Sequence, residues 1–99
     1  MIFFGYIKGM PYERATESFD DYKQFQNKIS KSKVIAHLET LERWHTSLPS
    51  KDMFTGEKLC AGQFHDGDFR FPLEFLHYYK NYDIGIPYEY EAYLNTVLE

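Results

Sequence analysis

The sequence has little cysteine, with Cys60 as the one example among 99 residues. A single cysteine cannot close a disulfide within the chain, which excludes the disulfide-stabilised secreted domains. Apolar runs are short as well, because none approaches the roughly 18 residues of a membrane-spanning helix. The apolar stretch 2–7 has neither the basic flank nor the small-residue cleavage site of a signal peptide. We therefore expect a single cytoplasmic domain over residues 1–99, without a membrane partner.

Positive charge is outnumbered by negative charge, with 11 lysines and arginines against 15 aspartates and glutamates. The net charge is −4 and the isoelectric point about 5.5, whereas a general nucleic-acid binder needs a basic patch to displace counterions from phosphates. Three lysines at positions 28, 31 and 33 form a small cluster, which is more typical of a solvated corner between helices. Residues 83–99 contain four carboxylates and no lysine or arginine. This segment predicts an acidic surface that attracts a basic partner.

Aromatic residues are abundant, at 19% of the chain, with nine phenylalanines, nine tyrosines and one tryptophan. Tyrosine, tryptophan and arginine are enriched as anchors in protein–protein interfaces. Aromatic side chains also supply large buried areas to the core of a small domain. Composition leaves both interpretations open for any single tyrosine.

Helical spacing of apolar residues predicts two helices in the first half. Thr16 and Ser18 are the candidate N-caps of the first, and its apolar positions are Phe19, Tyr22, Phe25 and Ile29. Ser32 opens the second, and Pro49 ends it. Its apolar stripe comprises Val34, Leu38, Leu41, His45 and Leu48. Residues 50–57 are predicted to form a loop, and residues 2–7 are either a strand or a buried helical turn.

A β-hairpin is predicted next, because Asp66-Gly67 separates the apolar runs 59–64 and 69–71. Pro72 then begins a third helix at a position that proline favours, and Pro87 begins a fourth. The predicted fold class is a small single domain, mainly α with a short β-hairpin (α+β) and about four helices. A strand at residues 2–7 would lie beside the hairpin and complete a three-stranded sheet.

Catalytic and metal-binding patterns are weak. No Cys-x-x-Cys, His-x-x-x-His or His-Glu-x-x-His spacing occurs, so we expect no catalytic residue, no metal and no cofactor. The alternative of a small enzyme would use His65 or Cys60, the cysteine acting as a nucleophile activated by a histidine. A lone cysteine in a strand is more often a small apolar side chain.

Two stretches carry a resemblance to a known class of protein. The first is Phe54-Thr55-Gly56-Glu57-Lys58-Leu59-Cys60-Ala61-Gly62-Gln63-Phe64, continuing through residues 65–72, and the second is Asp83-Ile84-Gly85-Ile86-Pro87-Tyr88-Glu89-Tyr90-Glu91. Together they resemble the small immunity proteins of contact-dependent growth inhibition systems, a class of bacterial polymorphic toxin systems. The resemblance implies a cytoplasmic, non-enzymatic inhibitor whose partner is a cognate toxin domain, often a nuclease.

The predicted function is therefore neutralisation of a toxin by covering its active site, with the free protein a monomer. The expected partner-binding residues combine acidic groups with an aromatic anchor: Asp66, Asp68, Asp83, Tyr88, Glu89 and Glu91. A rival site is the first helix with Glu17, Asp20 and Asp21. A phage-type inhibitor of a host defence nuclease is the alternative biological role.

Overall fold

The computed structural model describes residues 1–98, which contain six strands and four helices. The strands are β1 (Ile2–Phe3), β2 (Arg43–His45), β3 (Ser50–Lys51), β4 (Lys58–Leu59), β5 (Gly62–Asp66) and β6 (Phe69–Pro72). The helices are α1 (Phe19–Lys23), α2 (Lys31–Leu38), α3 (Leu73–Asn81) and α4 (Tyr88–Val97). Helices hold 33% of the chain and strands 20%. The predicted fold class, mainly α with one short hairpin, is therefore wrong.

A mixed four-stranded sheet organises the molecule, in the order β1-β6-β5-β2. The predicted hairpin is confirmed as β5 and β6, which pair antiparallel, and β1 lies beside it as a parallel partner of β6. β3 and β4 form a separate two-stranded antiparallel sheet within and beside the predicted loop. Ser18 caps α1 by accepting a hydrogen bond from the Asp20 amide at 3.2 Å, as the sequence predicts.

The second helix is the main source of the error in fold class. α2 begins after Ser30, whose side chain accepts a hydrogen bond from the Lys33 amide, and it ends at Leu38. The residues that continue the predicted helical stripe form β2, which pairs antiparallel with β5. Strand β5 offers backbone groups on the side away from β6, and pairing with them outweighs a weak local helical preference.

The β5–β6 turn differs in detail from the prediction. Its two central residues are Gly67 and Asp68, because Asp66 pairs directly with Phe69. Of the two, Gly67 alone has a positive φ, at 59°, which fits a II′ turn with glycine at the first central position. A side chain at Gly67 would also meet the Tyr93 hydroxyl, since a Cβ at this position would lie 2.7 Å from that oxygen.

The core is an aromatic layer between the sheet and helices α3 and α4. Phe4 stacks on Phe71 at a centroid distance of 4.6 Å, and it packs against Phe75 at 5.4 Å and Tyr90 at 4.8 Å. Such rings supply large buried areas in a short chain. Within residues 1–98, no helix combines the length and the apolar character that crossing a bilayer requires.

Candidate partner-binding site

The six predicted interface residues do not share one surface, and two of them are buried. Asp66 is 6% exposed. Its Oδ2 accepts a hydrogen bond from the Tyr90 hydroxyl at 2.6 Å and lies 2.9 Å from His37 Nε2. Its Oδ1 accepts from the Tyr93 hydroxyl at 3.1 Å. The carboxylate thereby links the β5–β6 hairpin to α2 and α4.

Glu91 is the second buried carboxylate. It accepts hydrogen bonds from the Lys28 amide at 2.7 Å, the Ile29 amide at 3.0 Å and Asn27 Nδ2 at 3.0 Å. Burial raises the pKa of Glu91, but these hydrogen bonds outweigh burial and lower the pKa below its ordinary value. The ionised side chain therefore holds the segment before α2 against α4, and it does not face a partner.

Asp83 is exposed but lies in a basic neighbourhood. It lines one cavity with Lys23 and Phe54, and a second with Lys23 and Lys31. Its charge is therefore partly balanced by lysines of the same molecule.

The remaining three predicted residues lie at or beside one cleft, which we call the acidic cleft. Glu89 lines it directly. Tyr88 lies beside it, because its ring packs edge-on against the lining residue Phe25 with the ring centres 5.1 Å apart. The backbone of Asp68 also lies beside it, because its carbonyl accepts a hydrogen bond from the amide of the lining residue Ile2 at 2.7 Å. The cleft has a volume of about 310 Å³ and is lined by Ile2, Phe3, Phe4, Glu17, Asp21, Tyr22, Phe25, Phe69, Pro87 and Glu89.

Separate parts of the chain supply the three carboxylates of the acidic cleft. Glu17 lies before α1, where its amide donates to the Tyr6 carbonyl at 3.0 Å and its carbonyl accepts from the Lys8 amide at 2.8 Å. Asp21 lies within α1 and Glu89 in the first turn of α4. The cleft thus joins part of the rival acidic site, Glu17 and Asp21, to the preferred C-terminal one.

The Glu17 side chain is held in place by two donors. Its Oε1 accepts a hydrogen bond from the Tyr6 amide at 3.0 Å, and its Oε2 accepts from the Tyr22 hydroxyl at 2.9 Å. Burial, together with the negative charge of Glu17, raises the pKa of Tyr22, although a hydrogen bond from the Gly5 amide opposes this. The hydroxyl therefore stays protonated and keeps donating to Glu17.

Asp21 and Glu89 are exposed and without an ion-pair partner among residues 1–98. No lysine or arginine lines the acidic cleft. Lys23 on the same helix pairs with Asp20 at 3.3 Å. Within residues 1–98 these two carboxylates therefore lie without an ion pair over a floor of aromatic and aliphatic side chains, although one cation is near: the guanidinium of Arg14 lies 3.6 Å from the centre of the Phe3 ring.

The tyrosines serve mainly the fold. Among the nine, Tyr88 alone is largely exposed, at 53%. Four others donate hydrogen bonds to carboxylates away from the cleft: Tyr12 to Glu74, Tyr82 to Asp52, and Tyr90 and Tyr93 to Asp66. The interpretation of tyrosine abundance as interface surface therefore holds for Tyr88 at most.

The residues of the enzyme alternative lie in different cavities. Cys60 lines a cavity of about 420 Å³ with His45 and His77, and among residues 1–98 its thiol has no hydrogen bond to a histidine. His65 stacks on Trp44 at 5.1 Å, beside a groove on another part of the sheet. No group of three or more His, Cys, Asp or Glu side chains in the described part of the chain is arranged to hold a metal ion.

Sequence reasoning missed the aromatic walls of the cleft, Phe3 and Phe25, and the anchoring role of the buried carboxylates Asp52 and Glu74. Glu74 is 1% exposed and accepts hydrogen bonds from Tyr12 and Ser50. These residues come together through long-range packing, and no local spacing signals it. The exposed Trp44, at 54%, was also missed, since it lay within a predicted helix.

No protein-family model, no curated protein and no solved structure matches this chain.

Proposed function

We propose that this protein is a cytoplasmic immunity protein, which binds a cognate bacterial toxin and neutralises it by covering the active site. The toxin is a nuclease in this proposal. The observation that carries it is the acidic cleft, where carboxylates from two ends of the chain meet over an aromatic floor. The resemblance of residues 54–72 and 83–91 to immunity proteins supports the same function.

The mechanism is steric and electrostatic. A nuclease binds a polyanion, so its active site is lined with cationic groups. The acidic cleft offers that site negative charge without a scissile bond, while Tyr88 beside it offers exposed ring surface for a desolvated contact. Complementary charge speeds the encounter, and apolar contacts slow dissociation.

The acidic cleft replaces the interface that the sequence suggests. Asp66 and Glu91 are excluded because their oxygens are occupied inside the molecule. Asp83 is set aside because its neighbours are lysines. Asp68, Tyr88 and Glu89 remain, and Glu17 and Asp21 are added. The free protein is a monomer in this proposal and acts without catalysis.

Co-expression and co-purification with the toxin encoded beside the gene test the function itself. We expect a stable one-to-one complex and loss of the toxin's nuclease activity. Failure to bind or to protect cells would overturn the proposal. Inhibition of a host defence nuclease in place of an adjacent toxin would identify the phage-type role.

Charge reversal tests the surface. We expect Asp21→Lys with Glu89→Lys to slow association with the toxin by about tenfold or more at low salt, because steering depends on the local field. The matched control is Glu42→Lys with Glu57→Lys, which changes the net charge equally at exposed positions that do not line the cleft. If both pairs of substitutions slow association equally, the net charge of the protein sets the rate and the acidic cleft has no specific role.

A further inference from the structure

β2 is an outer strand of the four-stranded sheet, and it pairs antiparallel with β5 on one side. Just beyond β2, the Thr46 amide donates to the Ala61 carbonyl at 3.0 Å. Because backbone groups alternate in direction along an antiparallel strand, Trp44 and Thr46 direct their amides and carbonyls towards β5. Arg43 and His45 direct theirs outwards. The side chains of all three β2 residues are exposed, so the outer edge is accessible to a further strand.

A cavity lies on each face of the sheet beside this edge. Arg43 and Phe64 line the first, of about 420 Å³. Trp44 lines the second, of about 810 Å³, with Gln63 and His65 on either side of Phe64 in β5. Side chains alternate between the two faces of a strand, so a strand paired with β2 would direct successive side chains into the two cavities in turn. In strand addition to a sheet edge, backbone hydrogen bonds give affinity and pockets for alternate side chains give specificity.

The first cavity attracts a carboxylate. Arg43 is exposed, and within residues 1–98 it has no ion-pair partner. Its guanidinium lies 5.3 Å from the centre of the Phe64 ring, which places the charge on this face of the sheet. Glu74, the carboxylate among the lining residues, is 1% exposed, and both of its oxygens already accept hydrogen bonds. Arg43 is therefore available to a carboxylate of a neighbouring strand, and cross-strand pairs of opposite charge are favourable.

The second cavity suits an apolar side chain. Trp44 and Leu48 line it and are 54% and 45% exposed. Glu13 and Arg14 line it with opposite charges, so neither sign dominates. The Trp44 ring stacks on His65 with the ring centres 5.1 Å apart, which fixes its position. An aromatic side chain opposite Trp44 would cover this surface, and aromatic pairs across strands stabilise pairing.

We propose that the outer edge of β2 binds an extended segment of another protein, with carboxylates on the Arg43 face and an aromatic residue on the Trp44 face. Arg43 and His45 pair with this segment through their outward amides and carbonyls. β1, which contributes to the acidic cleft, lies at the opposite edge of the sheet. The surface is therefore separate from the acidic cleft, and the inference goes beyond the proposed function and does not depend on it.

A capped peptide with the sequence Thr-Val-Glu-Tyr-Glu-Val-Thr tests the inference on the full chain, without a toxin. It reads the same in both directions, so either strand orientation places the glutamates on one face and the apolar side chains on the other. In the free protein we expect the amides of Arg43 and His45 to exchange quickly with solvent, and those of Trp44 and Thr46 slowly. Saturating peptide should slow exchange at Arg43 and His45 by about tenfold or more, measured by NMR.

Methylation of the peptide backbone tests the strand pairing. With the tyrosine opposite Trp44, both glutamate amides point to β2 and the tyrosine amide points away. Methylating both glutamate nitrogens should weaken binding by about tenfold or more, because two hydrogen bonds are lost. Methylating the tyrosine nitrogen is the control and should change the affinity less than about threefold. Equal effects of the two modifications would overturn the inference.

Charge reversal tests the side-chain preference. Arg43→Glu should weaken binding of the peptide about fivefold or more and should favour the analogue Thr-Val-Lys-Tyr-Lys-Val-Thr, and Arg43→Gln should give a smaller loss. Lys33→Glu is the matched control, because it changes the net charge equally at an exposed position that lines neither cavity. Thermal unfolding checks that each variant is folded.

Three results would overturn the inference. They are equal effects of Arg43→Glu and Lys33→Glu, tighter binding of the lysine peptide by the natural protein, and unchanged exchange at Arg43 and His45 with several millimolar peptide. Protection of these two amides at high protein concentration without peptide would identify a second copy of the chain as the occupant, which would also overturn it.

Discussion

Glu89 and Glu91 stand two residues apart on α4, and Asp66 and Asp68 stand two residues apart around the β5–β6 turn. In each pair one carboxylate is buried and hydrogen-bonded, and the other is exposed. On a helix, two residues are about 200° apart and point to opposite sides. In each pair, two carboxylates that are neighbours in the sequence are therefore divided between the inside of the fold and the surface.

Acidic residues that are close together in the sequence therefore do not form a uniform surface in this protein. The buried members, Asp66 and Glu91, tie distant segments together by accepting hydrogen bonds from tyrosines, an asparagine and backbone amides. The exposed members, Glu89 and Asp68, lie at or next to the acidic cleft. Removing a buried carboxylate should change stability, and removing an exposed one should change recognition.

The largest effect is expected at Asp66. Asp66→Ala leaves the hydroxyls of Tyr90 and Tyr93 and the His37 ring without their acceptor, and unpaired buried donors are costly. We expect a loss of about 3 kcal/mol in the free energy of unfolding, measured by urea denaturation. Asp68→Ala is the control and should stay within about 0.5 kcal/mol of the natural protein. Similar losses of stability in the two variants would show that Asp66 and Asp68 do not differ in their contribution to the fold.

A somewhat smaller effect is expected at Glu91. Glu91→Ala removes the acceptor of two backbone amides and of Asn27, so we expect a loss of about 2 kcal/mol in the free energy of unfolding. Hydrogen exchange should show faster opening at Lys28 and Ile29, the two amides that it accepts from. Glu89→Ala should leave both measurements nearly unchanged. Protection at these amides that is the same in both variants would contradict the assigned role.

Lowering the pH should reveal the contribution of ionised Asp52 to stability. Burial raises its pKa, but hydrogen bonds from His77, the Phe54 and Thr55 amides and Tyr82 outweigh burial and lower the pKa of Asp52 to about 2. The pKa of Asp52 in the folded protein thus lies below its ordinary value of 3.8. Ionised Asp52 therefore stabilises the fold above about pH 4, and this stabilisation is lost as the pH falls to about 2.

The matched variant for this prediction is Asp52→Asn. We expect it to be less stable than the natural protein by on the order of 1 kcal/mol at pH 6, and the difference should disappear near pH 2. Urea denaturation at several pH values measures this. A difference that does not depend on pH would show that ionisation of Asp52 contributes nothing.

The smallest and opposite effect is expected at Glu74. Burial raises the pKa of Glu74 above its ordinary value, and the hydrogen bonds from Ser50 and Tyr12 only partly offset this. The folded protein therefore binds the proton of Glu74 more tightly than the unfolded chain does. Protonated Glu74 stabilises the fold below pH 4.5, and this stabilisation is lost as the pH rises through the pKa of Glu74 in the folded protein.

Glu74→Gln removes this titration. We expect the stability of the variant relative to the natural protein to rise by a fraction of 1 kcal/mol between pH 4 and pH 7. Asp52→Asn shifts in the opposite direction over its own, more acidic range. If the two variants change with pH in the same direction, the two carboxylates do not differ as the structure indicates.

Local sequence signals predicted the elements that have local causes. Ser18 caps α1, Pro72 and Pro87 precede α3 and α4, and Gly67 allows the hairpin turn. Each of these depends on a residue whose backbone preference or side-chain acceptor acts within four positions. They could be predicted because nothing distant competes with them.

The sequence-based predictions are wrong where the structure depends on contacts between residues far apart in the sequence. Arg43 to His45 continue a helical stripe but pair with Gly62 to Phe64 instead. The acidic cleft needs Phe3, Asp21 and Glu89 together, and these are separated by up to 86 positions in the sequence. No periodicity encodes such a meeting, because it depends on how β1, α1 and α4 pack.

In this small acidic, aromatic-rich chain, the hairpin and the two helices after it follow from the sequence, since turn residues and helix starts act locally. That β2 is a strand, which carboxylates are buried, and where the exposed carboxylates of the cleft meet all depend on how distant segments pack. The physical reason is that backbone pairing and burial are satisfied between distant segments, and their free energy exceeds the small local preferences that a sequence displays.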